Sequence, residues 1–214
     1  MELDPEKLSP QERYKLLIGG IVPRPIAFVS TISPDGALNL APFSFFNAVG
    51  STPMLLSFCP ANRADGQEKD TLRNAKPVEE GGVGEFVVNI AAETMAAQVS
   101  AAAEDLPYGE SEFELAGLKP APSRRVRPPR VAGAPLSFEC RTRSVLRFAP
   151  GQAGGANLVL GEVLYVNAID ELLDDQMRVD PDRLRAFGRM GGRGYCRTTD
   201  RFDLVFGRNA LDPR

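Results

Sequence analysis

The stretch PIAFVSTISPDGALNLA, residues 25–41, restricts the fold more than any other part of the chain. Two apolar, strand-like runs flank Ser33-Pro34-Asp35-Gly36. Proline presets φ at the first turn centre, aspartate follows and glycine comes next, which is a type I turn pattern. So short a connection joins antiparallel neighbours only, because a parallel crossover needs a dozen or more residues. The chain is therefore expected to open its sheet with a β-hairpin. The next segment, Ala41–Asn47, is too apolar for a surface loop and is interrupted by Pro42, so irregular backbone is expected there. It sets Ser44 and Asn47 among Phe43, Phe45 and Phe46.

Around that hairpin the chain punctuates itself clearly. SPQERYKLLIGG reads as a short helix, with Ser9 as N-cap, Pro10 in the first turn, Glu12 completing a capping box and Gly19-Gly20 ending it. MLLSFCP is expected as a buried strand, EKDTLRNA as a helix opening near Asp70 or Thr71, EFVVNIA as a strand and AETMAAQVSAAAE as a helix. Leu106–Pro135 holds six prolines; it reads as a long loop, of the kind that is functional or packs on a partner subunit. LSFECRTRSVLRF and NLVLGEVLYVNAI flank the glycine-rich APGQAGGA and are expected to pair as long strands. DPDRLRAF reads as a short helix, GRMGGRGYCRT as a glycine-rich basic loop and RFDLVF as a final strand. Short strands, few helices and no regular β–α alternation indicate a mainly β, antiparallel barrel or sandwich. One domain spanning residues 1–214 suits the length. No GxGxxG follows a strand, since GGVGEF precedes one, and no Walker A motif is present.

Composition narrows the chemistry. The chain has no histidine, which removes imidazole-dependent triads and HExxH zinc sites. Cys59, Cys140 and Cys196 are too far apart for a CxxC pair, and the first two lie in apolar runs typical of buried thiols. No metal site is expected. A net charge of −3 argues against a nucleic-acid partner. No apolar run approaches the roughly 20 residues of a membrane helix, and MELDPEKLSPQER lacks a leader pattern. A cytoplasmic protein with no membrane partner is expected. Chemistry then falls to carboxylates, Lys, Tyr or Cys, or to a bound cofactor such as a flavin, which holds the reactive atoms itself.

Four stretches carry chemically useful groups. In ANRADGQEKDTLRNA, Arg63 and Lys69 flank a polar loop and Asp70-Thr71 begin a helix. Helix-start amides, a hydroxyl and two cations suit a phosphate; a capped helix with solvated cations accounts for the same residues. In APFSFFNAV the phenylalanines either fill the core beneath the hairpin or wall a flavin, with Ser44 and Asn47 at its polar edge. Ser30 and Thr31, at the end of the preceding strand, would face the same space. Arg189, Arg193 and Tyr195 either grip an anionic or aromatic second substrate or lie exposed. Glu162, in the apolar LVLGEVLYV, reads as a structural ion-pair partner.

Taken together, RPIAFVSTISPDGALNLAPFSFFNAVGSTPMLLSF, KDTLRNA, EFVVNI, LVLGEVLYV and GRMGGRGY span Ile21 to Tyr195 in a constant order. They resemble the flavin reductase-like FMN-binding family, in its flavoredoxin-like branch. The resemblance implies a split β-barrel with Greek-key features, a homodimer, and FMN near the subunit interface. It also implies that Arg24, Ser30, Thr31, Ser44, Phe45 and Asn47 lie along the flavin. Arg63, Lys69, Asp70 and Thr71 would surround its ribityl phosphate. Asp70 would orient Lys69 or cap the helix, because a carboxylate repels phosphate. Arg189 and Tyr195 would hold the substrate; no residue is assigned as acid or base. The implied activity is a flavin reductase passing a hydride from NADH or NADPH to flavin, with a partner oxygenase as one recipient of the reduced flavin. The alternative is an FMN-containing electron carrier or flavin-storage module with no nicotinamide site of its own. Many relatives carry a histidine just before the GEV strand; here Asn157 stands in that neighbourhood, which favours the alternative.

Overall fold

A computed structural model describes residues 1–211 of the chain. Helix α1 (Pro10–Gly20) starts as its sequence dictates: Ser9 Oγ accepts from the Glu12 N–H, and Glu12 Oε2 accepts from the Ser9 N–H at 2.8 Å. The glycines expected to end it form its last two residues, and Ile21 is the C-cap. Strands β1 (Ala27–Ile32) and β2 (Leu38–Phe43) form the expected hairpin, and β3 (Phe46–Ser51) and β4 (Met54–Phe58) form a second. After them come α2 (Asp70–Ala75), β5 (Glu85–Ile90), α3 (Ala96–Ala101), α4 (Glu112–Leu115), β6 (Pro120–Ala121) and β7 (Arg130–Val131). The chain continues through β8 (Leu136–Arg147), β9 (Asn157–Ala168), α5 (Pro181–Leu184), β10 (Phe187–Arg189) and β11 (Tyr195–Arg197). No helix among the described residues is long and apolar enough to cross a membrane.

Seven strands make one antiparallel sheet in the order β2-β1-β5-β8-β9-β4-β3. β2 and β3 stand at its two ends, yet only Ser44 and Phe45 separate them in the chain. In a flat sheet those ends would lie about 29 Å apart at the usual strand spacing, whereas three Cα steps reach only about 11 Å. The sheet must therefore curl until its ends meet, which makes a barrel.

Alternation along β1 serves two cores. Ala27 and Val29 point into the barrel with Phe43, Phe58, Phe86 and Cys140. Phe58 is the hub there, its ring centroid 5.3 Å from that of Phe43 and 5.1 Å from that of Phe86. Ile26 and Phe28 point the other way, against Met95, Val99, Phe113, Val131 and Phe187. A strand with both faces covered loses the apolar–polar alternation, as Ala27–Val29 of β1 does. Gly161 in β9 is required by packing, since a Cβ there would sit 2.3 Å from Phe86 Cζ.

Three expectations are corrected. First, Ala41–Asn47 is mostly strand, and only Ser44 and Phe45 are irregular. Pro42 is tolerated because β2 is an edge strand with one side unpaired. Second, residues 106–135 contain α4, β6 and β7 and pack on their own sheet. Phe113 and Val131 are buried, the Val131 N–H donates to Asn89 Oδ1 at 2.9 Å, and the Arg124 and Arg125 N–H groups donate to the buried Glu139 carboxylate. Third, RFDLVF is not a strand. Phe202, Leu204, Val205 and Phe206 are exposed, and β-propensity without a pairing edge does not make a strand. The glycine-rich loop before it is the turn of the β10–β11 hairpin.

Candidate functional site

Three hollows lie in series along Ala41–Asn47. The first, about 150 Å³, is lined by Asn39, Pro42, Arg63, Lys69, Asp70, Thr71 and Glu112, with Glu104 and Asp105 also on its wall. The second, about 240 Å³, shares Pro42 and Ala103 with the first and adds Tyr14, Val99, Ser44, Arg189 and Tyr195. The third, about 460 Å³, shares Ser44 with the second and is walled by Leu17, Ile21, Pro25, Phe45, Phe46 and Asn47. The end of β2, the Ser44-Phe45 link and the start of β3 line the three in turn, and so the Pro42–Asn47 run combines apolar and polar side chains.

The first hollow is fixed by buried polar contacts. Asn39 Nδ2 donates to Thr31 Oγ1 and to Thr71 Oγ1, both at 3.0 Å, and Asn74 Nδ2 donates to Thr31 Oγ1 at 3.1 Å. Thr71 Oγ1 thus accepts from within the fold, and its own proton finds no acceptor among the described residues. Asp70 opens α2 but does not cap it; Lys69 is the N-cap residue and makes no side-chain cap bond. The Asp70 carboxylate instead holds Arg63 at 3.1 Å and faces Arg73 at 3.7 Å, leaving Oδ1 without a hydrogen bond. Burial pushes the Asp70 carboxyl above its ordinary value, partly offset by Arg63 and Arg73. Glu112 is also pushed up by burial; its Oε2 accepts from the Leu40 N–H at 2.8 Å. The Lys69 ammonium makes no ion pair among the described residues. It is therefore the cation most available to a ligand.

Farther along, Arg24 is buried and its guanidinium is committed to the fold. Nη1 donates to Ile18 O and Ile21 O at 2.6 and 2.8 Å, Nη2 to Met190 O at 3.1 Å, and Nε to Ser44 Oγ at 3.2 Å. Burial lowers its pKa, and nearby Arg189 acts in the same direction. Arg189 stacks on Tyr195 with Cζ 4.4 Å from the ring centroid, so these two form one wall of the second hollow.

Residues 19–187 match the flavin reductase like domain. The chain belongs to the flavin reductase-like family. Among solved structures, it is similar to nitrilotriacetate monooxygenase component B from Bacillus cereus, with 34% identity, TM-score 0.87, and 95% of this chain and 98% of that chain covered. It is also similar to the 2-nitrobenzoate 2-nitroreductase NbaA from Pseudomonas fluorescens, with 32% identity, TM-score 0.84 and 97% of each chain covered. A split barrel domain protein from Shewanella frigidimarina superposes with TM-score 0.80 at 19% identity over 97% of this chain and 100% of that one, a likeness of fold. The barrel required by the β2–β3 link is thus the split barrel of the flavin reductase-like proteins.

Within this flavin reductase-like chain the residues singled out by sequence divide. Arg63, Lys69, Asp70 and Thr71 share the first hollow; Arg189 and Tyr195 share the second with Ser44; and Arg24, Ser44, Phe45 and Asn47 share the third. Thr31 lies behind Thr71, reaching it only through Asn39. Ser30 lines none of these hollows: its hydroxyl donates to Pro129 O at 2.5 Å and accepts from Asn89 Nδ2 at 3.2 Å. Asn157 is buried, donating to Pro60 O and Asn62 Oδ1 at 2.8 Å each, so it braces the start of β9. Glu162 is the expected structural partner, 2.5 Å from Arg143. Sequence reasoning missed Asn39, which reads as the solvent face of an alternating strand. It also missed Glu112, which reaches the hollow from a distant segment with no local signal.

Proposed function

We propose that the three hollows together hold one FMN, with its phosphate in the first and its ring system toward the third, and that the protein is a flavin reductase. That Pro42 and then Ser44 line successive hollows carries this reading, because an end that sets Arg63, Lys69 and the Thr71 hydroxyl among four carboxyl groups lies next to an apolar, aromatic one. The residues fit the group. An unpaired ammonium at Lys69, the Arg63 guanidinium and the undirected Thr71 hydroxyl proton suit an anion. Phe45, Leu17 and Ile21 suit a planar apolar ring. Bound FMN supplies two-electron transfer between a nicotinamide and an acceptor. Lys69 and Arg63 would bind the phosphate, Thr71 would donate to it, and Phe45 with Pro25 would line one side of the ring. Arg189 and Tyr195 border the middle of the groove and orient NADH, NADPH or the acceptor there.

Family membership supports flavin-related oxidoreductase chemistry. Two solved neighbours above 30% identity, a monooxygenase component and a nitroreductase, support electron delivery to a partner oxygenase or to a small acceptor. A homodimer is part of the same proposal. Helix α1 buries no residue and presents Tyr14, Leu16, Leu17 and Ile21, while β3 and β4 present Val49 and Met54. Leu17 and Ile21 also wall the third hollow, so a second copy on this face would complete the ring end. Size-exclusion chromatography with light scattering should give a dimer; an FMN-holding monomer would contradict it.

The decisive assay is oxidation of NADH and NADPH with FMN as acceptor, which the reductase reading expects to be catalytic. The second reading is an FMN electron carrier without its own nicotinamide site. It draws on Asn157, which is buried in structural bonds and offers the groove nothing. Flavin binding without turnover of either nucleotide would select it.

A further inference from the structure

Arg63 holds acceptors on two sides that differ in how firmly they are built. On the inner side Nη2 meets Asp70 at 3.1 Å, and the Asp70 side chain keeps only 10% of its exposure. On the outer side Nη1 meets Asp105 at 3.3 Å, and the Asp105 side chain is 64% exposed. Nη2 also reaches Leu106 O at 3.4 Å, in the residue after Asp105. The inner pair fixes where the guanidinium sits. The outer pair is a solvent-facing contact of the kind that contributes little and exchanges readily.

We propose that Asp105 is a specificity-determining residue: its carboxylate holds the outer edge of Arg63, and once a flavin phosphate displaces it, it repels the second phosphate of FAD, which FMN lacks. This rests on the placement of the flavin phosphate in the first hollow. A phosphomonoester carries about −1.5 to −2 charge at neutral pH. It therefore gains more from Arg63 and Lys69 together than the single charge it replaces. Each phosphate of a pyrophosphate diester carries one charge, no more than the carboxylate it must expel. Its nucleotide half must also pass Glu104 and the displaced Asp105, both exposed on the same wall. A flavin without phosphate has nothing to exchange. Displacing Asp105 costs both flavins alike, so the choice of FMN over FAD comes from repulsion between the displaced carboxylate and the second phosphate of FAD.

The test is calorimetric titration of the full-length protein with FMN and FAD, on wild type, Asp105→Asn and Glu104→Gln. Wild type is expected to prefer FMN by about tenfold or more. Asp105→Asn should tighten both flavins, FAD more, bringing the preference to about threefold or less, whereas Glu104→Gln should leave most of it. The exposed position of Asp105 lets the variant fold, and an unchanged melting temperature verifies that. Equal affinity of wild type for both flavins, or an unchanged preference in Asp105→Asn, overturns the inference alone. An equal loss of preference in Glu104→Gln overturns it in favour of a diffuse field. Failure of wild type to bind either flavin removes the functional reading and this inference with it.

Discussion

At the Lys69 end of the groove Thr71, Asp70 and Arg63 are held in place by buried neighbours, whereas at the Phe45 end the walls face solvent. Asn39 ties Thr71 to Thr31, and Asp70 fixes Arg63. By contrast Phe45 and Asn47 are exposed, Leu17 comes from a helix with no buried residue, and Ile21 is the exposed C-cap of that helix. One chain therefore completes the charged end by itself and leaves the apolar end open. The difference indicates a division of labour: anion recognition is built into the barrel, and ring enclosure depends on what covers α1 and β3.

The largest effect that would sharpen this contrast is expected at Arg24, the one firmly held residue of the open end. Arg24→Ala removes four hydrogen bonds from a buried guanidinium and frees the end of α1. A loss of about 3 kcal/mol, or roughly 6–12 °C in melting temperature, is expected. A shift under about 2 °C would show that α1 is not anchored there. Next comes Asn39→Ala, which strips donors from two buried hydroxyls and should cost about 2 kcal/mol by thermal denaturation. A neutral result would mean that the charged end is not fixed by this cluster.

Asp70→Asn follows, and its effect is read against pH. Burial raises the Asp70 pKa, so the folded state holds that proton more tightly than the unfolded chain. Stability gained in acid is therefore lost as pH rises from about 4, the ordinary carboxylate value, through the raised value. Asp70→Asn should flatten that decline, by under about 1 kcal/mol because Arg63 and Arg73 offset part of the burial. A steeper decline in the variant would mean that the charged form is the favoured one. Smallest on the fold is Lys69→Ala, expected to change stability by under about 0.5 kcal/mol because its ammonium has no ion-pair partner among the described residues.

The same contrast separates what the sequence made legible. The β1–β2 hairpin, the Ser9 capping box and the β8–β9 pairing follow from local chemistry, and the structure contains all three. Lys69, Asp70 and Thr71 were readable as a set because they are adjacent at a helix start. The end of strand β2 was not, because Pro42 signals a break unless one knows that β2 lies at a sheet edge. RFDLVF misled for the opposite reason: its residues favour a strand, but pairing is decided by distant segments. Arg24 shows the same lesson at the site. The family resemblance set it along the flavin, and it does line the third hollow; that its donors go to the carbonyls of Ile18, Ile21 and Met190 is what no local pattern announces. Glu112 enters the first hollow through a contact with Leu40 from 72 residues away.

The central claim is that Lys69, Arg63 and Thr71 receive the phosphate of a bound flavin. Titrating wild type and Lys69→Ala with FMN and with riboflavin tests it most directly. Wild type is expected to bind FMN about tenfold or more tighter than riboflavin, and Lys69→Ala to lose most of that preference while its melting temperature stays unchanged. Equal binding of the two flavins by wild type, or a full preference retained in Lys69→Ala, would contradict it.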